Sequence, residues 1–429
     1  MSDEHNIRAI AILILDEILQ KNYSRDVVLA RYFSKYELSE IDRDFIFNVV
    51  LNTLRFKEIF DEIITKVLNI RLQRIEPLIK TTMEVALGQI LTMDRIPVYA
   101  AVSESIEGYK QIGRNSGGVG FLNFALRRLS RKGDLKELFE RFKRENLLIY
   151  KLSDELKSEL REDELQTIYK NSFERPPIFL RIREGFKIKS DIIPILEREK
   201  IDYRLSTIVS SSIILPPEIS VKLLGKILPE DSFVLQSELS QLTAHLIPLE
   251  QGDRFLDVCS GNQIKSQQIS EILKNHIDIT SVDIKEIKNP KFKYIRADAQ
   301  NIRFKDKFNK VLIDAPCSGL GTISQNPELK FKIKKTAIKR FSFIQYRILT
   351  NISQYLKSNG ILLYSVCTIT KSETTELIKI FLEENKQFEI IRPVIVNNEL
   401  NRFLTEEGFL RIFNYNHQSF FYALLRRKY

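Results

Sequence analysis

The stretch Arg254-Phe255-Leu256-Asp257-Val258-Cys259 predicts a β-strand that ends in a cysteine. The runs Val311-Leu312-Ile313-Asp314-Ala315-Pro316-Cys317 and Ile361-Leu362-Leu363-Tyr364-Ser365-Val366-Cys367 have the same form, and the chain has no other cysteine. Ligands and reacting groups gather beyond the carboxyl ends of strands in an open α/β sheet. Core packing is the commoner role of a free cysteine. Two thiols at neighbouring strand ends nevertheless predict covalent chemistry on an electrophilic carbon, because an ionised thiol is a strong nucleophile.

Strands and helices alternate on both sides of these runs. Such alternation is typical of a parallel, doubly wound sheet of the Rossmann-like α/β class, and we expect one such domain over residues 231–429. The predicted elements are strands near Phe255–Val258, Thr280–Ile284, Tyr294–Ala297, Lys310–Ala315 and Ile361–Val366, a helix over Ile338–Leu356 and a final strand over Phe420–Leu425.

The beginning of the chain shows no β pattern. Apolar residues recur at helical spacing through residues 5–131, and Pro77–Met93 and Val98–Ile112 are two of the predicted helices. The glycine-rich stretch Ser116–Gly120 predicts a turn before the last of them. We therefore expect an all-α domain of about five to seven helices over residues 1–135.

The pattern between residues 136 and 230 is mixed. Arg175-Pro176-Pro177 should be extended because a residue that precedes proline avoids the helical region, and Ile178–Ile182 predicts a strand. We expect a small α+β connector here. A chain of 429 residues is too long for one ordinary core, so three domains are a reasonable division.

The net charge of +10 is distributed unevenly. From residue 231 onward there are 29 Lys and Arg against 21 Asp and Glu. A basic domain that carries the candidate chemistry favours a polyanionic partner, although a lysine-rich composition alone would have the same effect. The odd number of cysteines argues against disulfides, and the scattered histidines argue against zinc. With no leader or membrane-spanning stretch in view, we expect a cytoplasmic monomer without a metal.

Carboxylates follow four of the predicted strands. Asp257, Asp283, Asp298 and Asp314 lie at successive strand ends, and the separation of the first two suits a carboxylate that receives ribose hydroxyls. One such aspartate is ordinary helix capping, but four predict a nucleoside-type cofactor. We expect Asp283 near the ribose and Asp298 near the base.

The loop Asp314-Ala315-Pro316-Cys317-Ser318-Gly319, followed later by Cys367-Thr368, resembles the RNA cytosine-C5 methyltransferases of the Nop/Sun family. The all-α region resembles a NusB-type RNA-binding domain, on the strength of Arg95-Ile96-Pro97 and of Phe121-Leu122-Asn123 with Leu126-Arg127-Arg128. Together these resemblances point to the bacterial RsmB (Sun/Fmu) subgroup and cover nearly the whole chain.

The resemblance implies S-adenosylmethionine as cofactor and methylation at C5 of a cytosine in small-subunit (16S) rRNA. It assigns attack on C6 to Cys367, product release to Cys317, and contacts with the pyrimidine and the cofactor to Asp314. The lysines and arginine after the Cys317 loop could hold RNA phosphates or could form an ordinary solvated helix face. They are Lys330, Lys332, Lys334, Lys335, Lys339 and Arg340. The expected cofactor-binding residues are Cys259, Ser260, Gly261, Asn262, Gln263, Ile264 and Lys265, with Asp283, Asp298 and Asp314.

The cofactor loop departs from the family pattern Cys-Ala-Ala-Pro-Gly-Gly-Lys. Asn262, Gln263 and Ile264 replace Pro-Gly-Gly, although Gly261 can supply a turn slightly earlier. Two alternatives therefore stay open: an RNA-binding or ribosome-assembly factor that has lost catalysis, and a methyltransferase that acts on tRNA.

Overall fold

The computed structural model describes residues 6–21, 23–112, 116–148, 154–393 and 397–429. The chain divides into two compact units. The helical unit comprises Met1–Leu152, Leu165–Phe173 and Asn326–Lys332, and the sheet unit comprises Ser153–Glu164, Glu174–Gln325 and Ile333–Tyr429. The boundaries at residues 135 and 230 stay predictions. In the described part of the chain, no helix is both long and apolar enough to cross a membrane.

The helical unit confirms the all-α prediction. Its main helices are α1 (Ile7–Gln20), α2 (Arg25–Lys35), α3 (Glu40–Leu68), α4 (Pro77–Thr92), α5 (Val98–Ile112), α6 (Ser116–Ser130) and α7 (Leu135–Leu148). The side chain of Asn6 caps α1 by accepting from the backbone N–H of Arg8 at 2.8 Å, and Pro77 begins α4, where a missing N–H costs nothing. Ile10, Ile14 and Ile18 form the buried face of α1.

The predicted turn at Ser116–Gly120 is wrong, because these residues are the first turns of α6. Gly118 explains the difference. A Cβ at this position would lie 2.5 Å from Tyr109 Oη on α5. The glycine thus permits two helices to pack closely and does not mark a break in the chain.

The sheet unit contains two sheets. The small one has the order β2-β3-β1-β4 and is antiparallel, and the large one has the order β10-β12-β9-β8-β5-β6-β7, with β11 beside β12. The strands are β1 (Ile178–Ile182), β2 (Arg204–Leu205), β3 (Ser212–Leu215), β4 (Phe233–Leu235), β5 (Arg254–Val258), β6 (Asp278–Asp283), β7 (Lys293–Arg296), β8 (Phe308–Asp314), β9 (Leu356–Val366), β10 (Phe388–Ile390), β11 (Leu410–Tyr415) and β12 (Gln418–Arg427). The remaining helices are α8 (Glu162–Asn171), α9 (Ile193–Arg198), α10 (Val221–Ile227), α11 (Glu238–Leu246), α12 (Ile264–Ile272), α13 (Leu329–Lys332), α14 (Lys335–Ser353) and α15 (Thr375–Glu384).

Five neighbouring strands of the large sheet are parallel, as predicted. Leu256 of β5 pairs with Thr280 of β6 on one side and Val311 of β8 on the other, so the strand order reverses at β5. The C-terminal strand β12 pairs antiparallel with β9, and its other side pairs with β10 and β11. Both faces of the central strands β5, β8 and β9 are buried, which explains their almost continuous apolar sequences.

The predicted helix Ile338–Leu356 extends too far. α14 ends at Ser353, and Leu356 is the first residue of β9. Leu356 packs in the same core cluster as Ile348 and Ile352, so the helical apolar period continues across the boundary although the backbone has changed.

Candidate active site

The carboxyl ends of the five parallel strands form a row of reactive side chains. In the order β9, β8, β5, β6 and β7, this row contains Cys367, Asp314, Asp257, Asp283 and Asp298. Each of them lies within the last two residues of its strand or just beyond it. The strand order therefore brings together side chains that are far apart in sequence.

Cys367 of this row is in contact with Cys317, which lies in the loop after β8. Cys317 Sγ lies 3.1 Å from Cys367 Sγ, which is hydrogen-bond distance and well beyond the roughly 2.05 Å of a disulfide. The hydrogen bond with Cys367 and then burial raise the pKa of the Cys317 thiol well above its usual value. Cys317 consequently keeps its proton, and either sulfur can be the donor in the hydrogen bond between them.

A buried carboxylate that the sequence reasoning missed holds the Cys317 loop. Glu373 accepts from the backbone N–H of Ser318 at 2.8 Å, from Gln345 Nε2 at 3.0 Å and from Thr370 Oγ1 at 2.7 Å. Burial raises the pKa of Glu373. The sequence shows a carboxylate soon after the predicted strand that ends at Val366. Its burial, which is what marks it as important, is known only from the fold.

Gly321 lets the loop approach the end of β9. Its N–H donates to the carbonyl of Cys367 at 3.0 Å, and a Cβ would lie only 1.8 Å from the carbonyl oxygen of Ser419. No other residue fits this position without moving the backbone of β12.

Asp314 is fixed on both sides. One carboxylate oxygen accepts from Lys265 Nζ at 2.5 Å and the other from Ser365 Oγ at 2.7 Å. Burial opposes the charge of Lys265, but the carboxylates of Asp314 and Asp257 outweigh it and raise the pKa of Lys265. The ion pair thus joins the predicted cofactor loop to the predicted pyrimidine contact.

The loop between β5 and α12 has a left-handed backbone at three positions. Cys259, Gly261 and Gln263 have φ values of 61°, 51° and 60°. Gly261 supplies one turn, as expected, and its N–H donates to Asp283 at 2.8 Å. The Gln263 side chain is buried, where it donates to Ser281 Oγ at 2.5 Å and accepts from the N–H of Lys291 at 2.7 Å. The bulk of Gln263 therefore occupies space behind the loop, against β6.

The comparisons with known proteins agree with this geometry. Residues 244–426 match the model of the family described as 16S rRNA methyltransferase RsmB/F, and residues 5–131 match the NusB family. Residues 244–426 therefore form an RsmB/F methyltransferase domain. Residues 5–131 form a NusB-family domain.

Curated RsmB relatives cover the chain almost end to end. The probable ribosomal RNA small subunit methyltransferase B of Bacillus subtilis is 26% identical over 90% of either chain. The enzyme named ribosomal RNA small subunit methyltransferase B in Proteus mirabilis is 26% identical over the full length of both. The crystal structure of a protein named PH0851 shares the fold, with a TM-score of 0.72 and 20% identity over 99% of this chain and 98% of that one.

RsmB/F enzymes use S-adenosylmethionine, and the residues at the strand ends fit such a ligand. Burial and then the charges of Asp283 and Asp314 raise the pKa of the Cys259 thiol far above its usual value, so this third cysteine stays protonated. Among the described residues, Asp257 Oδ1 and Ser260 Oγ are buried without a hydrogen-bond partner. A site with several carboxylates, one lysine and unused acceptors suits a sulfonium cation.

The basic residues after the Cys317 loop separate into two groups. The prediction that Lys330 contacts an RNA phosphate is wrong, because its side chain is buried in the helical unit. Its Nζ lies 3.0 Å from Glu58 Oε2 and donates to the carbonyl of Arg55 at 2.7 Å. Lys332 donates to the carbonyl of Tyr23. Lys334, Lys339 and Arg340 are exposed and Lys335 is half-buried, so a role in RNA contact stays a prediction for these four.

Proposed function

We propose that this RsmB/F enzyme methylates C5 of a cytosine in small-subunit rRNA through a covalent bond between Cys367 Sγ and C6. The contact between the Cys317 and Cys367 sulfurs at 3.1 Å is the observation that carries the proposal. The names of the curated relatives support the rRNA target. We expect the reaction in the cytoplasm, where that RNA is found.

The reaction needs a nucleophile because C5 of cytosine attacks electrophiles poorly. When the Cys367 thiolate adds to C6, an S–C6 bond forms and the electron pair of the C5–C6 double bond moves toward C5. When bound, S-adenosylmethionine would supply the electrophilic methyl group for C5, with its S–CH3 bond broken and its sulfur left as a neutral thioether. Loss of the C5 proton restores the double bond as the S–C6 bond breaks, which returns the thiolate of Cys367.

The two sulfurs can act in sequence because they are in contact, so a change at Cys367 alters the environment of Cys317. In the free enzyme, the hydrogen bond with Cys367 is the main reason that the pKa of Cys317 is raised, ahead of burial and of the charge of Cys367. Once Cys367 is bonded to C6 it no longer carries a negative charge. Cys317 can then release its own proton to water, and the resulting thiolate accepts the C5 proton, so this base forms only after the adduct exists.

Asp314 and the strand-end carboxylates supply orientation. The bonds from Lys265 and Ser365 fix the Asp314 carboxylate beside the thiols, where we assign it contact with the pyrimidine edge. The target base must leave its stack to reach these groups. We assign Asp283 to the ribose of the cofactor, Asp298 to its base and the loop Cys259–Lys265 to its amino-acid end.

Three cysteine variants test the proposal. Cys367→Ala should abolish 5-methylcytosine in rRNA, read by bisulfite sequencing, because no S–C6 bond can form. Cys317→Ala should accumulate a protein–RNA adduct on denaturing gels, because the C5 proton is not removed. The double variant should lose the adduct.

Cys259→Ala is the matched control, since its thiol lies at the strand ends but has no partner sulfur. It should accumulate no adduct whatever its methylation rate. Methylation that persists in Cys367→Ala would end the proposal, and an adduct in the double variant would reassign the attacking sulfur.

A further inference from the structure

Helix α14 is a cationic helix with an exposed aromatic ring. Its sequence, Lys335–Ser353, includes four basic residues and no Asp or Glu. Lys339, Arg340 and Arg347 are exposed, and Phe343 lies among them with 61% of its surface accessible. The guanidinium of Arg347 lies 5.8 Å from the centre of the Phe343 ring. An exposed ring among cations presents a π-face on which a nucleobase can stack.

The fold places the middle of α14 beside the Cys317 loop. The helix connects β8 to β9, so it starts at the carboxyl edge of the sheet and returns to the opposite edge. Gln345 Nε2 donates to the carbonyl of Pro316 at 2.9 Å, and Ser342 Oγ donates to the carbonyl of Ser372 at 2.6 Å. The buried face of α14 is therefore bonded to the two segments that follow β8 and β9, and its exposed face is fixed relative to them.

We propose that the exposed face formed by Lys339, Arg340, Phe343 and Arg347 binds single-stranded RNA next to the target cytidine. One base stacks on Phe343, and the flanking cations hold the phosphates on either side. The inference rests on the proposed function in taking RNA as the substrate. Stacking on an aromatic ring within a cationic groove is the usual way in which proteins hold single strands, and a face without any carboxylate complements a polyanion.

The test separates stacking from charge. The probe is a short fluorescein-labelled single-stranded RNA, and its affinity for the full chain is measured by fluorescence anisotropy over a range of salt concentrations. Phe343→Ala should weaken binding by about tenfold with an unchanged salt slope. Phe343→Trp should restore it. Lys339→Ala/Arg340→Ala should reduce the magnitude of the salt slope by about 1.4, because each lost phosphate contact on a single strand removes about 0.7.

Two surface variants of the sheet unit are matched controls. Ile380→Ala removes an exposed apolar side chain from α15, and Lys386→Ala removes an exposed cation just before β10, which begins at the opposite edge of the sheet. Both should bind RNA as the parent does. Equal affinity in Phe343→Ala and the parent would overturn the inference, and so would a loss of the same size in Ile380→Ala.

A kinetic readout distinguishes this inference from the proposed function. With rRNA as substrate, Phe343→Ala should raise KM while kcat stays near that of the parent, because the ring binds RNA and touches no reacting atom. A chain that binds RNA through Phe343 but forms no 5-methylcytosine would refute the proposed function alone. A chain that methylates rRNA equally well with and without the ring would refute the inference alone.

Discussion

Asp257 is buried in the middle of the row of carboxylates. Burial, opposed by a 2.5 Å hydrogen bond from Ser266 Oγ, raises its pKa to about 7. An aspartate in an unfolded chain ionises near pH 4. Between these values the folded protein holds a proton that the unfolded chain has released, so this group makes the protein less stable as the pH rises.

The prediction at this residue concerns stability against pH. Asp257→Asn keeps an oxygen that can accept from Ser266 but does not titrate. Relative to the parent, the variant should gain stability on the order of a few kcal/mol between pH 4 and pH 8. Thermal unfolding of both proteins at several pH values measures the difference. A difference that stays constant with pH would contradict the raised pKa.

Also at the residue scale, the sequence predicted the reactive side chains but not the hydrogen bonds and ion pairs that hold them in place. The cysteines and aspartates were found because each ends an apolar strand, a local pattern. Glu373 and the ion pair of Lys265 with Asp314 were missed because their partners come from other elements. Lys330 was misjudged for the same reason, since nothing near it in the sequence shows that Glu58 lies beside it.

Among the elements, the loop from β5 to α12 departs most from local preference. Gln263 has φ near +60°, which costs a residue with a side chain about 1 kcal/mol or more. Its two side-chain hydrogen bonds, to Ser281 and Lys291, compensate. The sequence shows that the glycines of the family pattern are absent here. It could not show that hydrogen bonds of the Gln263 amide stabilise the left-handed backbone in their place.

Two substitutions separate the strain from the bonds. Gln263→Ala and Gln263→Gly both remove the hydrogen bonds, but only glycine adopts this backbone freely. Both variants should be less stable than the parent, and the glycine variant should exceed the alanine variant by about 1 kcal/mol in urea unfolding.

Asn262 provides the opposite control, because it is exposed and its φ is not positive. There the alanine variant should be the more stable of the two, since glycine only adds freedom to the unfolded chain. The same order at both positions would mean that backbone strain does not explain Gln263.

At the scale of the whole molecule, the helical unit is built from three separate parts of the chain, one of which is Asn326–Lys332. Lys330 anchors this segment through Glu58, and its ammonium lies 4.2 Å from the centre of the Phe173 ring. Burial lowers the pKa of Lys330 to about 8, only partly offset by Glu58. Removal of only one of the two charges should therefore lower the stability of the protein, because the other charge stays buried without its partner.

A double-variant comparison tests this anchor. Lys330→Met should lower the unfolding free energy by about 3 kcal/mol, because it leaves the Glu58 carboxylate without its cation. Lys330→Met/Glu58→Gln should recover most of that loss. Lys334→Met, at an exposed lysine nearby in sequence, should change little. Failure of the second substitution to recover stability would show that packing, and not charge, governs the segment.

The interleaved chain path limits how this enzyme can be dissected or recombined. A gene fragment that starts at residue 231 would encode Asn326–Lys332 without α3, which provides the partner of its lysine, and that ammonium would lose its only ion pair among the described residues. Exchange of the NusB-family domain between relatives meets the same obstacle. A chimaera must exchange Asn326–Lys332 together with the N-terminal helices, although separate parts of the gene encode them.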